Sequence, residues 1–319
     1  MSRSRRENKW LEIMDSAKSQ HNLIASLING KSIAYIDIPI HFNVGDLLIY
    51  LGTEEFFKEH DINVIYRSGC ENLDFKKIKE ADVIVLHGGG NFGDLYKVHQ
   101  NLRENIISKF PTKRIICLPQ TIFFEDISNE ESSAKIFSKH KDFHFITRDE
   151  RSYEISKKFT NNYHLLPDMA HSLHPMIEKE ELCDELPQQR RILNLIRKDI
   201  ESQNNDLRLQ KKGFDWDDLI SISDINIKKK YSSLEKWKFK QKKANDLWYR
   251  LSKEIVFRSE NYFHMHNEVH TDRLHGLIFS CLLGKNIHLF DNSYGKNTSY
   301  YNKWLFGLPN ITVNSNSKS

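Results

Sequence analysis

Ala81-Asp82-Val83-Ile84-Val85-Leu86-His87, running straight into Gly88-Gly89-Gly90-Asn91-Phe92-Gly93-Asp94, is the stretch on which the fold turns. Val83 to Leu86 lacks the apolar/polar alternation of a half-exposed strand, so it reads as a strand covered on both faces, the habit of parallel sheets. Glycines after it permit a sharp turn and a close approach of ligand to backbone N–H groups. A helix from about Leu95 to Phe110 follows. The glycine run is a literal G-x-G-x-x-G, which taken alone suggests a dinucleotide site. Two features weaken that reading. The run follows an internal strand, and the next strand ends at Gln120 where a ribose-binding acid is expected. A ligand-facing loop and a purely structural turn both remain.

The same grammar extends in both directions from this unit. Toward the N-terminus, strand Ser32–Ile40, helix Gly45–His60, strand Asn63–Arg67 and helix Phe75–Glu80 precede it. Toward the C-terminus come strand Arg114–Leu118, a helix near Glu130–His140, strand Phe143–Thr147, helix Asp149–Phe159 and strand His164–Leu166. Strands alternating with helices predict a doubly wound parallel α/β sheet, with ligands at the edge formed by strand C-termini. Residues 1–30 form an N-terminal element, an amphipathic helix over about 9–29 stopped by Asn29-Gly30. The first α/β domain spans 31–180. Glu178–Gln189 has linker composition, and a second, smaller α/β domain over 181–312 opens with strand Arg191–Ile196. Within it, 199–265 is a charged helical excursion whose apolar face includes Leu234, Trp237, Leu247, Trp248, Leu251, Ile255 and Val256. An apolar helix after Arg273 and strand Ile287–Phe290 follow, and 313–319 reads as a disordered tail.

Composition narrows the function classes. With 39% apolar and 28% charged residues the chain can build real cores and solvated faces. A net charge of +4 suits an anionic substrate or a membrane surface, and is far from a nucleic-acid footprint. Cysteines 70, 117, 183 and 281 show no paired spacing, so the expected setting is a reducing cytoplasm without a disulfide framework or zinc knuckle. The basic N-terminus lacks an apolar segment after it and does not read as a signal peptide. No membrane span is expected.

The chemistry concentrates in Thr271-Asp272-Arg273-Leu274-His275-Gly276. A helix start offers free N–H groups and partial positive charge, arginine adds a planar fork for carboxylate or phosphate, and histidine adds a proton mobile near neutral pH. Other strand ends on the predicted ligand edge supply Asn43-Val44-Gly45-Asp46, Pro119-Gln120, Arg148-Asp149 and Pro167-Asp168 with His171. Asn43 and Asp46 also suit helix capping, and Arg148 suits a salt bridge to its own helix start. Arg197, ending the first strand of the second domain, approaches from the facing wall. His264, His266 and His270 lack a carboxylate partner in clear metal spacing, so no metal site is expected.

Taken in order, these pieces resemble the polysaccharide pyruvyl transferase family, in the branch found with exopolysaccharide clusters. The resemblance rests on Asn43-Val44-Gly45-Asp46, Gly88–Asp94, Leu118-Pro119-Gln120, Arg148-Asp149 with Ser152, Leu166–Ala170, Arg273–Gly276 and Asp291–Asn297, over roughly residues 31–305. It implies two Rossmann-like domains arranged as in GT-B glycosyltransferases, with the charged helical excursion in the second. It also implies phosphoenolpyruvate as donor, no further cofactor, and transfer of the pyruvyl group to a sugar as a ketal with release of phosphate. Carried over residue by residue, His275 becomes the acid and Arg273 an anion clamp with Leu274 beside it. Arg148 is the first choice for the second arginine and Arg197 the second choice. Asp46, Asp94 and Asp168 are candidate bases. Asn43, Gly45, Gly89, Gly90, Asn91, Gln120, Asn292 and Ser293 complete the expected binding residues. The resemblance leaves open a lipid-linked glycan acceptor, peripheral association with the inner face of the cytoplasmic membrane, and oligomerisation. Two rivals stand beside it, a GT-B glycosyltransferase using a nucleotide sugar and a non-catalytic glycan-binding protein of the same fold.

Overall fold

A computed structural model describes residues 2–182, 190–196, 213–291 and 295–314. The N-terminal element is two helices, α1 (Arg3–Ser19) and α2 (Asn22–Ile28), where the sequence reads as one. The break delivers His21 into the interior, its ring nitrogens 2.7 Å from Ser172 Oγ and 3.1 Å from the Pro167 carbonyl. Asn29, at φ 51°, ends α2 in the left-handed conformation that suits a helix stop.

The first sheet is built by β1 (Ile33–Ile36), α3 (Val44–Glu59), β2 (Val64–Ser68), α4 (Phe75–Glu80), β3 (Val83–Leu86), β4 (Gly89–Gly93), α5 (Lys97–Lys109), β5 (Arg114–Phe123), α6 (Ile127–Phe137), β6 (Phe143–Thr147), α7 (Glu150–Ser156) and β7 (Asn162–Leu165). Its strands are parallel in the order β2-β1-β3-β5-β6-β7, with β4 beside the end of β5. Every residue of β3 is fully buried. Val83 and Val85 join one core and Ile84 and Leu86 the core on the opposite face, which is why the run is continuously apolar.

The glycine run is more than a turn. Gly89–Gly93 pairs with β5, and β5 continues through Pro119 to Phe123 instead of stopping at Leu118. Proline is tolerated because the register with β6 slips between Cys117 and Gln120, where its missing N–H is not required. Gly93 has φ 133°, and a Cβ there would lie 1.6 Å from the Phe123 carbonyl oxygen.

The second sheet comes from β8 (Ile192–Leu195), α8 (Ile222–Glu235), α9 (Gln241–His264), β9 (Glu268–Thr271), α10 (Leu274–Leu282), β10 (Asn286–Phe290), α11 (Lys296–Tyr300) and β11 (Ile311–Asn314). It is parallel in the order β11-β10-β9-β8. β9 and β11 escape a hydrophobicity reading because only one face of this sheet enters the core, through residues such as Leu193, Leu195, Val269, Ile287 and Leu289. Val313 and Asn314, expected in the tail, pair with Leu289 and Phe290. Of the charged excursion, residues 199–212 lie outside the described residues, and the remainder is built mainly of α8 and α9. Trp248 on α9 donates its indole N–H to the Pro39 carbonyl at 2.8 Å and Asn245 its amide to the Arg67 carbonyl at 2.8 Å, tying the excursion to the first sheet. Trp237, read as part of the apolar face, is instead exposed just beyond the end of α8. No helix among the described residues is long and apolar enough to cross a membrane.

Candidate active site

The C-terminal ends of β1, β3 and β6 face those of β9 and β10 across a cleft of about 370 Å³. This is the edge that parallel α/β topology reserves for ligands. His275 enters it from the first turn of α10, whose N-cap is Arg273. Opposite, Asn43 caps α3 by accepting the Gly45 N–H at 2.9 Å. The ring of His275 packs on Gly45, where a Cβ would come within 2.4 Å of Nδ1. Glycine is therefore what seats the imidazole.

Nε2 of His275 stands 3.4 Å from Asp168 Oδ2 and 3.5 Å from Arg148 Nη1. Arg148 donates from Nη1 to Asp168 Oδ2 at 2.5 Å and from Nε to Thr121 Oγ1 at 2.9 Å. Thr121 in turn donates to Asp149 Oδ2 at 2.8 Å. Asp168 is fully buried and its other oxygen accepts the Ala170 N–H at 2.9 Å. Burial alone would raise its pKa, but the Arg148 guanidinium and then His275 outweigh it, holding the carboxyl far below the usual range. Such a carboxylate is a weak proton acceptor. Asp168 contacts both Arg148 and His275 from behind the residues that line the cleft.

Arg273 lines the cleft, held by a 2.7 Å ion pair from Nη2 to Asp215 Oδ2. Its buried Nε has no hydrogen-bond partner among the described residues. Arg148, Arg273 and Lys296 thus bring three fixed cations to one cleft, with Leu274 between Arg273 and His275. Gly90 lies against Arg148, a Cβ there meeting Nη2 at 3.0 Å.

The remaining expected residues divide by role. Asn43, Asp46, Gly90 and Asn91 line the cleft, and Gly89 lies behind it near Asp46 and Ile49. Gln120 is not at the cleft surface; its amide donates to the His87 carbonyl at 2.9 Å and to Asn91 Oδ1 at 3.3 Å, bracing the glycine loop. Asp94 is spent on the N–H groups of Glu125 and Asp126 and on Asn129, so it holds a loop. His171 is buried against Tyr300, with burial pushing its pKa down to about 3. Arg197, Asn292 and Ser293 lie outside the described residues. His270 does have a carboxylate neighbour. Glu268 Oε1 is 2.7 Å from its Nε2 and 3.2 Å from that of His288, at the start of β9, away from the cleft. Arg190 already engages both Glu268 oxygens.

Sequence reading missed His41, Tyr96, His99 and Trp216 on the cleft wall, and Asp215 behind Arg273. Lys296 lay within a recognised motif without being singled out. No local pattern marks the others.

Residues 43–294 match the family described as Polysaccharide pyruvyl transferase. EpsO of Bacillus subtilis, provisionally named a pyruvyl transferase, is 39% identical over 291 residues, covering 88% of each chain. Pyruvyl transferase 1 of Schizosaccharomyces pombe is 28% identical over 297 residues, covering 87% of this chain and 70% of the relative. The crystal structure of an uncharacterised Klebsiella pneumoniae protein superposes with a TM-score of 0.60 at 23% identity, covering 93% of this chain and 97% of the other. That likeness supports the two-domain, Rossmann-like and GT-B-like architecture.

Proposed function

The chain belongs to the polysaccharide pyruvyl transferase family, and on that premise we propose that it moves the enolpyruvyl group of phosphoenolpyruvate onto a sugar as a pyruvate ketal. The observation that carries this reading is the junction of Arg148, Asp168 and His275 within one cleft that also holds Arg273 and Lys296. The donor is a small molecule with a carboxylate and a phosphate close together, and fixed guanidinium forks recognise both groups. His275 is the acid that protonates the methylene carbon, turning C2 into the electrophile. General acid catalysis of this kind contributes about 10²–10⁴-fold. Arg273 and Arg148 hold the two anionic groups, and Lys296 adds a point charge. The acceptor is an exopolysaccharide or its precursor, and the chain works where such precursors are made, at the cytoplasmic face of the membrane.

The test follows label from phosphoenolpyruvate into glycan together with phosphate release. Wild-type protein is expected to give both in equal amounts, and His275→Ala to lose both by about 10²-fold or more. Release of nucleoside diphosphate from a nucleotide sugar, without transfer from phosphoenolpyruvate, would overturn the reading.

A further inference from the structure

Resting on the pyruvyl-transfer reading above, we propose that His99, oriented by the buried carboxylate of Asp37, is the base that takes the proton from the attacking acceptor hydroxyl. His99 lies on α5 and lines the same cleft as His275, from the wall built by the first sheet. Its Nδ1 is 2.6 Å from Asp37 Oδ1. Asp37 follows β1, is buried, and holds φ 68°, a left-handed conformation that non-glycine residues rarely adopt. Its second oxygen accepts a 2.7 Å bond from Nη2 of Arg103, a fully buried arginine. Arg103 also donates to the main-chain and side-chain oxygens of Asn91, at 2.9 and 2.6 Å. A rigid rail therefore runs from the glycine loop of the cleft, through Arg103 and Asp37, to the imidazole.

This arrangement decides a tautomer. Burial by itself would raise the Asp37 pKa, but the Arg103 guanidinium and then His99 outweigh it and keep the group ionised. An ionised carboxylate on Nδ1 fixes the proton there and leaves the lone pair on Nε2. Arg103 and the ring of Tyr96, edge-on to His99 at 6.5 Å between centroids, face the pair together with two further titratable groups. The Cys70 sulfur lies within 4.8 Å, and burial pushes its thiol up to about 11, so it stays neutral. His87 is buried beside Asp37 and is held neutral by that burial, its pKa pushed down to about 4. Asp168 is committed to Arg148, and imidazole is the stronger base as a side-chain class than the carboxylate of Asp46.

The proton count closes on two imidazoles. His275 gives its proton to the methylene carbon, making a methyl group, as the first sugar oxygen bonds to C2 and its proton passes to His99. The bond from C2 to the phosphate oxygen then breaks, and His99 returns its proton to the departing phosphate. The second hydroxyl bonds to C2 and its proton recharges His275. Phosphoenolpyruvate and a diol become ketal and phosphate, and both histidines end as they began.

The experiment uses the full chain, labelled phosphoenolpyruvate and an accepted glycan. His99→Gln is expected to lower kcat by about 10²–10⁴-fold with phosphoenolpyruvate affinity, measured by equilibrium dialysis, unchanged. The acidic limb of its kcat/KM–pH profile should disappear, and added imidazole should restore part of the rate to His99→Ala. Asp37→Asn, a positioning change, should lower kcat and shift that limb while leaving donor affinity intact. With an active wild type, a His99→Gln rate within about threefold of wild type, or loss that imidazole does not rescue and that donor affinity follows, overturns the proposal. If the wild type moves no label at all, the pyruvyl-transfer reading fails, and this one falls with it.

Discussion

At the residue scale the site depends on what a side chain is held by as much as on what it is. Arg148 and Asp168 form a buried pair whose separate charges are each costly and whose removal one at a time costs about 3–5 kcal/mol. Placing Asp168 against both Arg148 and His275 makes the anion clamp and the proton source one unit. Gly45 matters for the opposite reason, by what it lacks. Gly45→Ala puts a methyl group 2.4 Å from His275 Nδ1 in the present geometry, so the imidazole must move. We expect kcat to fall by about 10²-fold, as misplacement by about 1 Å typically causes, with the thermal midpoint little changed. Initial rates alongside thermal melting check this, and an unaffected rate would show that the ring position is not critical.

At the element scale, α10 is the part that must be positioned, because it carries His275 at one end and docks at the other. Its C-terminal turn is latched by α1, where Trp10 is fully buried and its indole N–H donates to the Cys281 carbonyl at 2.8 Å. The same ring packs edge-on against His174, at 5.0 Å between centroids. Arg6 on α1 reaches Asn286 of β10 at 3.3 Å. The N-terminal helix is thus a structural strap against the end of α10 and the start of β10, not an appendage. Trp10→Ala should cost about 3–5 kcal/mol, the usual cost of a large aromatic cavity, visible as a lowered denaturant midpoint. A change under about 1 kcal/mol would mean that α1 is not coupled to the fold.

At the scale of the whole molecule, several buried histidines are kept neutral, and this sets an acid limit. Burial pushes His21 and His87 down to about 4, against an ordinary value near 6.5. Between those values the unfolded chain takes up protons that the folded chain refuses. Stability therefore falls as pH drops through the window from 6.5 toward 4, by on the order of 3 kcal/mol for each histidine across its full width. The urea midpoint should be clearly lower at pH 5 than at pH 7.5 at constant ionic strength, and a flat profile would contradict the assignment. Much of this molecule is legible along the chain. The apolar run at Val83–Leu86, the glycines after it, and the cation and imidazole opening the helix after Thr271 are local patterns, and local patterns dictate strand, turn and helix start directly. So the sequence by itself determined the parallel α/β architecture, the ligand edge and the Arg273–His275 pair. What stayed hidden depends on pairs far apart in sequence, Asp168 and Arg148 with His275 at separations of 107 and 127 residues, and Asp37 with His99 at 62. Strand order and the closing of one sheet edge on the other bring those groups together. No local pattern encodes that distance, so only the tertiary structure decided which carboxylate holds which imidazole.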